Sequence, residues 1–129
     1  MPTRIQRKRT PGWRLAEAST NPNGVVIVDR TSRFGNPFRV EDAIEADYSN
    51  PRRACVSHFR AWIEGSTEYP DTFVVGRKTF DRRRILADLP LLRGKDLACP
   101  CPLPEPGDPD HCHAVVLLEL AAADIQRKP

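Results

Sequence analysis

The sequence predicts a small, single-domain α/β protein, residues 1–129, with a central, mostly parallel sheet flanked by helices. Three observations carry this. Val25-Val26-Ile27-Val28 is a continuous β-branched run behind a turn, the pattern of a strand buried on both faces. Ala54, Cys55, His58, Phe59, Trp62 and Ile63 recur at helical spacing and make one apolar face. Leu97 to Cys99 reads as a second strand, which runs through a proline-rich loop into an apolar helix from His113 to Ala122. Parallel strands need helical crossovers, and the order strand, helix, helix, strand, helix supplies them. A chain of 129 residues can bury one modest core.

Residues 1–19 read as a basic arm. Arg4, Arg7, Lys8, Arg9 and Arg14 place five cations in the first fourteen residues with no acid among them, which suits phosphate contacts. Ile5 and Trp13 can pin part of the arm as an edge strand. Asn21-Pro22-Asn23-Gly24 is turn chemistry that delivers the chain into Val25. Beyond that strand, Arg33-Phe34-Gly35-Asn36-Pro37-Phe38 makes a restrained turn, because Gly35 permits a tight backbone and Pro37 keeps Asn36 extended. Asn50 caps and Pro51 opens the helix that runs to Ile63. Cys55 and His58 form an i, i+3 pair there and are read as core filling. Phe73-Val74-Val75 is an edge strand or a loop, since Pro70 and flanking charges interrupt it. Arg82 to Leu89 is a short helix started by Asp81, and its arginine triplet reads as a solvated face rather than a phosphate site. The tail 124–129 is expected to fray.

Composition narrows the function classes. Hydrophobic residues make up 40% and charged residues 29%, as in an ordinary globular protein, and the net charge of +3 says little about partners. No apolar run is long enough for a membrane span, and no apolar stretch follows the basic N-terminus. A cytoplasmic protein is expected. Its four cysteines are then thiols or metal ligands rather than a disulfide framework. P-loop, dinucleotide and hydrolase-triad patterns are absent from the sequence.

Three of those cysteines and two of the three histidines fall between Cys99 and His113. Residues two apart on a strand point the same way, so Cys99 and Cys101 can face one pocket at the strand's carboxyl end. Cys112 stands where a helix begins, where free amides favour a thiolate. Three readings stay open. Cys99, Cys101 and Cys112 with a histidine make a Cys₃His zinc site, zinc being the expected cofactor, although the one-residue gap departs from common zinc spacing. Alternatively Cys112 is a reactive nucleophile with a nearby histidine as base. In the third, the thiols are small buried hydrophobes at a strand-to-helix turn.

The blocks Ile5 to Thr10 with Gly12-Trp13-Arg14, Arg33 to Phe38, Leu92 to Pro102 with its Cys99-Pro100-Cys101, and Cys112-His113-Ala114 resemble the domain-of-unknown-function family 4326, found in actinobacteria and their phages. The resemblance covers most of the chain and implies no assigned activity. Members usually carry an aromatic between the paired cysteines, where this chain has Pro100, and a shorter loop. His111 lies in that departing segment, so the resemblance favours His113 as the histidine ligand. The last third is also similar to a second uncharacterised family, number 488.

Two functional classes follow. One is a protein binding or processing a nucleotide, nucleobase or other phosphorylated small molecule, with Cys112, His113 and Asn36 as catalytic candidates and Arg33, Asn36 and Arg93 as ligand-binding candidates. The other is a non-catalytic nucleic-acid-binding module with the basic arm on the backbone and structural thiols or zinc. If the Val25 and Leu97 strands are parallel neighbours, Asn36, Arg33 and Cys112 are expected to share one cleft.

Overall fold

The structure, a computed structural model, describes residues 2–8 and 10–127. Arg9 of the basic arm and the last two residues of the tail expected to fray lie outside this range; the backbone is helical through Arg127.

The main sheet has three parallel strands, β1 (Arg4–Gln6), β2 (Val25–Ile27) and β5 (Asp96–Cys99), in the order β1-β5-β2. Leu97 stands opposite Arg4 on one side and Val26 on the other. The central strand is therefore Asp-Leu-Ala-Cys, buried at every position, and not the valine run. Val25 to Ile27 were expected to be buried on both faces, yet β2 is an edge strand and only half-buried. Pairing explains the exchange: β5 has a neighbour on each side, whereas β2 has one. Val28, just past the strand, is fully buried and leads into the loop that follows.

Asp96 anchors the amino end of β5. It accepts hydrogen bonds from Thr3 N at 2.8 Å, Ser19 Oγ at 2.7 Å and Asn21 Nδ2 at 3.1 Å. Burial pushes this carboxyl up, but the hydrogen bonds from Ser19, Thr3 and Asn21 outweigh it and hold the group below its ordinary range.

The long helix α3 (Pro51–Ile63) starts as expected: the Asn50 side chain accepts from Arg53 N at 3.2 Å and Pro51 opens the first turn. Its other end is closed by Arg82, whose Nε donates to Trp62 O at 2.9 Å and whose Nη2 donates to Ile63 O at 3.1 Å. One member of the arginine triplet thus satisfies open helix carbonyls, while Arg83 pairs with Asp81 at 3.2 Å. Thr72–Val75 (β3) does form a strand. It pairs antiparallel with Lys78–Asp81 (β4) as a separate hairpin turned at Gly76. The polar sequence Lys-Thr-Phe-Asp gives β4 no strand signature of its own.

Two short helices, α1 (Leu15–Ala18) and α2 (Val40–Glu45), carry too few turns to announce themselves by periodicity. Helix α4 (Arg82–Asp88) runs into a 3₁₀ turn, Leu89–Leu92, and α5 (His113–Arg127) packs against that turn, α3 and the sheet. Phe59, Trp62 and Ile63 of α3 meet Leu97 of β5 and Val116 and Leu117 of α5 in the buried core. Among the described residues no helix is long and apolar enough to cross a membrane.

Candidate metal-binding cleft

Because β2 and β5 run parallel side by side, their carboxyl ends open on the same sheet edge. The chain leaving β2 makes the 29–38 loop there, β5 ends at Cys99, and α5 begins at His113. Together they wall a cleft of about 230 Å³ that takes in Cys99, Cys101, Cys112, His113 and Asn36. The convergence expected for those five residues is thus met. Arg33 is elsewhere: its Nε pairs with Asp88 at 2.7 Å and its guanidinium lies over the Phe34 ring at 4.7 Å. Arg93 precedes β5 and so sits toward the opposite end of the sheet, away from the cleft lining.

Ligand atoms of Cys99, Cys112 and His113 lie within 4.8 Å of one another, and all three residues are buried. Cys101 is half-buried, with its Sγ 3.6 Å from that of Cys99. A tetrahedral zinc with sulfur ligands at about 2.3 Å spaces them about 3.8 Å apart, so this pair already has the separation a shared ion requires. The cluster can hold a metal.

The histidine is prepared for that task. Its Nε2 lies 2.6 Å from Val28 O and 3.1 Å from Phe34 O. Carbonyls only accept, so Nε2 carries the proton, and the neutral ring keeps its lone pair on Nδ1. Burial lowers the His113 pKa, which keeps the ring neutral. Phe59 meets the ring edge to face at 5.1 Å and fixes its plane.

The thiols divide their roles. Hydrogen bonds from Cys112 and Cys99 push down the pKa of the Cys101 thiol, the most exposed of the three. Donation to Cys101 correspondingly raises Cys99 to about 11 and raises Cys112. Cys112 was expected to be the thiolate because it precedes a helix. In the structure Cys112 is 1% exposed, and hydrogen bonding to Cys101 and Cys99 together with burial raises its pKa. Cys55, the fourth cysteine, also lines the cleft but stands outside the ligand group, and burial keeps it a thiol. His58 is not its partner, for His58 Nδ1 bonds the Tyr69 hydroxyl at 2.9 Å.

The opposite wall depends on a folded-back loop. Asp29 is buried and takes Arg7 Nη1 at 2.6 Å and the backbone N of Thr31 at 2.9 Å, besides the Thr31 hydroxyl. Gly35 lies so close to this turn that a Cβ would stand 2.6 Å from Arg30 Cα and 2.7 Å from Asp29 O. Both are backbone atoms and cannot swing aside. Gly35→Ala is therefore expected to cost about 1–3 kcal/mol of stability, read as a lower urea midpoint with an unchanged slope. Asn36 lines the cleft, yet its side chain mainly braces it: Nδ2 donates to Cys55 O at 3.2 Å and Oδ1 accepts from Phe38 N at 2.9 Å.

Two cations were not singled out from sequence. Arg30 and Arg52 line the cleft, and Arg52 Nη2 also donates to His111 O at 3.2 Å. Position on the chain held the clue for Arg30: it follows β2 by three residues, nearer the strand's end than Arg33. Arg52 carried no such signal, being a cation in the first turn of a helix.

Among the described cations of the basic arm, Arg4 is buried and Arg7 half-buried, while Lys8 and Arg14 are exposed. Arg4 is buried in β1, forms a two-point pair with Asp110 at 2.6 and 2.8 Å, and donates to Pro102 O at 2.9 Å and to Cys101 O. It fastens the proline-rich loop to the sheet.

Fold and site together define a small α/β domain whose parallel sheet ends in a Cys/His cluster able to hold a metal. The sequence pattern described as Domain of unknown function (DUF4326) matches residues 5–123, nearly the whole chain, and the chain belongs to that family. No curated protein and no solved structure matches the chain significantly.

Proposed function

We propose that the chain holds one zinc ion at Cys99, Cys101, Cys112 and His113 and binds a phosphorylated small molecule of the nucleotide class in the cleft beside it. The observation that carries the metal half is the ligand set itself: three buried donor atoms within 4.8 Å and a histidine whose Nε2 is spent on two carbonyls. Thiolate and imidazole donors suit zinc, and four protein ligands make a closed, structural type of site. The ion's work is then to clamp the end of β5, the proline-rich loop and the start of α5 into one wall.

The ligand half is supported by Arg30 and Arg52 on the same cleft. Guanidinium groups recognise phosphate oxygens in pairs. The nucleic-acid alternative draws less support, because Arg4 and Arg7 are paired with Asp110 and Asp29 inside the domain. Titration of the full chain with inorganic phosphate, followed by NMR, tests the cleft. Saturable shifts at Arg30 and Arg52 that vanish in Arg52→Ala are expected. Shifts indifferent to that substitution, with salt-dependent binding of arbitrary DNA instead, would establish the nucleic-acid module.

A further inference from the structure

A second depression lies on the far side of Phe38. It has a volume of about 430 Å³, and Phe38 and Cys55 line both it and the metal-binding cleft. Its walls are aromatic to an unusual degree for a chain with 7% aromatic residues: Phe38, Tyr48, His58, Tyr69 and Phe73 all contribute. Tyr69 and Phe73 meet Phe38 edge to face at 5.2 and 5.1 Å, so the floor is a braced set of rings. Tyr48 stands at the mouth, 47% exposed, and meets His58 edge to face at 5.4 Å. Polar groups are few and directional: the His58 and Tyr69 pair, Asp42 and Arg39.

An aliphatic ligand would need none of this. Rings on several walls, joined by a hydroxyl and imidazole pair within hydrogen-bonding reach of ring heteroatoms, suit a flat molecule with polar edges. The two depressions share a wall, and one of them carries two arginines while the other carries the rings.

We propose that the aromatic depression is the subsite for the base of a nucleotide whose phosphate lies at Arg30 and Arg52 on the other side of Phe38. The link between the two halves rests on the phosphate reading given above. Base binding stands on its own probe, since a nucleoside has no phosphate. Tyr48 stacks on the ring, and the Tyr69 hydroxyl, held by His58, selects among bases.

The test uses the full chain and a panel of adenosine, guanosine, cytidine and uridine, followed by NMR shifts of Tyr48, Tyr69 and Phe73. At least one nucleoside is expected to bind saturably, and Tyr48→Ala to weaken it about tenfold, the scale of one base-stacking contact. Tyr69→Phe keeps the ring and deletes only the hydroxyl, and is expected to flatten the preference among the bases. The matching nucleoside monophosphate is expected to bind more tightly than the nucleoside, with that gain lost in Arg52→Ala. Absence of saturable shifts with all four nucleosides, or shifts untouched by both tyrosine variants, overturns the base subsite. Nucleoside binding with no gain from the phosphate keeps the ring subsite and overturns its connection to the arginines. Phosphate binding lost in Arg52→Ala without any nucleoside binding overturns the base subsite and leaves the phosphate cleft standing.

Discussion

Cys112→Ala is expected to strip the protein of zinc. Native chain purified without added metal should carry about one ion, and the variant a small fraction of that after dialysis against a weak chelator. Cys112 is one of the three buried donors that already stand within 4.8 Å of each other, so its loss opens the inner part of the set. Changes to outer-shell partners alone typically cost 10 to 100-fold in metal affinity, and removal of a direct ligand should exceed about 100-fold. Cys55→Ala supplies the control: it removes a buried thiol from the same cleft but not from the ligand group. Equal loss in both variants would point to general loosening of the wall. Native protein with no bound ion and one fast-reacting thiol would replace the metal proposal with a reactive thiol in this group, of which Cys101 is the most exposed.

Local patterns in the sequence reported the elements whose stability is local, and missed those set by partners far along the chain. Asn50 and Pro51 announce the start of α3 because capping involves only four residues, and the structure keeps it where expected. The cysteine cluster was legible for a similar reason: β5 and α5 are both strong elements, and the loop between them has to return Cys112 to the strand's end. Sheet order was not legible. Four valine and isoleucine residues outrank Asp-Leu-Ala-Cys by β-propensity, yet Asp96-Leu97-Ala98-Cys99 occupies the centre, because Asp96 finds Thr3, Ser19 and Asn21 as partners. Those partners are 75 or more residues away. The arginines show the same limit. Arg33 and Arg93 were read as ligand-binding candidates and Arg4 as part of a phosphate-contacting arm, but Arg4 found Asp110, Arg33 found Asp88, and the cations that do line the cleft are Arg30 and Arg52.

Arg4→Ala is expected to be strongly destabilising, because this arginine, read from sequence as part of a phosphate-contacting basic arm, is a buried fastener. Its side chain is 3% exposed, and that of Asp110 is 18% exposed. Removing one partner of a buried pair costs about 3–5 kcal/mol, much of it the charge left behind, and the water still reaching Asp110 places this case toward the lower end. The carbonyls of Cys101 and Pro102 lose their donor in the same step. The loop from 100 to 111 then has less to hold it against β1, and Cys101, at its root, should drift from Cys99. Arg4→Ala is therefore expected to lower both the thermal midpoint and zinc affinity, although Arg4 touches no metal ligand except through the Cys101 carbonyl. Charge and tether separate in the double variant Arg4→Ala with Asp110→Ala. Deleting the orphaned carboxylate should recover part of the midpoint, while zinc affinity stays low because the loop remains untied. A midpoint that falls with zinc affinity intact would show that the loop keeps its place without Arg4, and that the Cys₃His set is held by β5 and α5 alone.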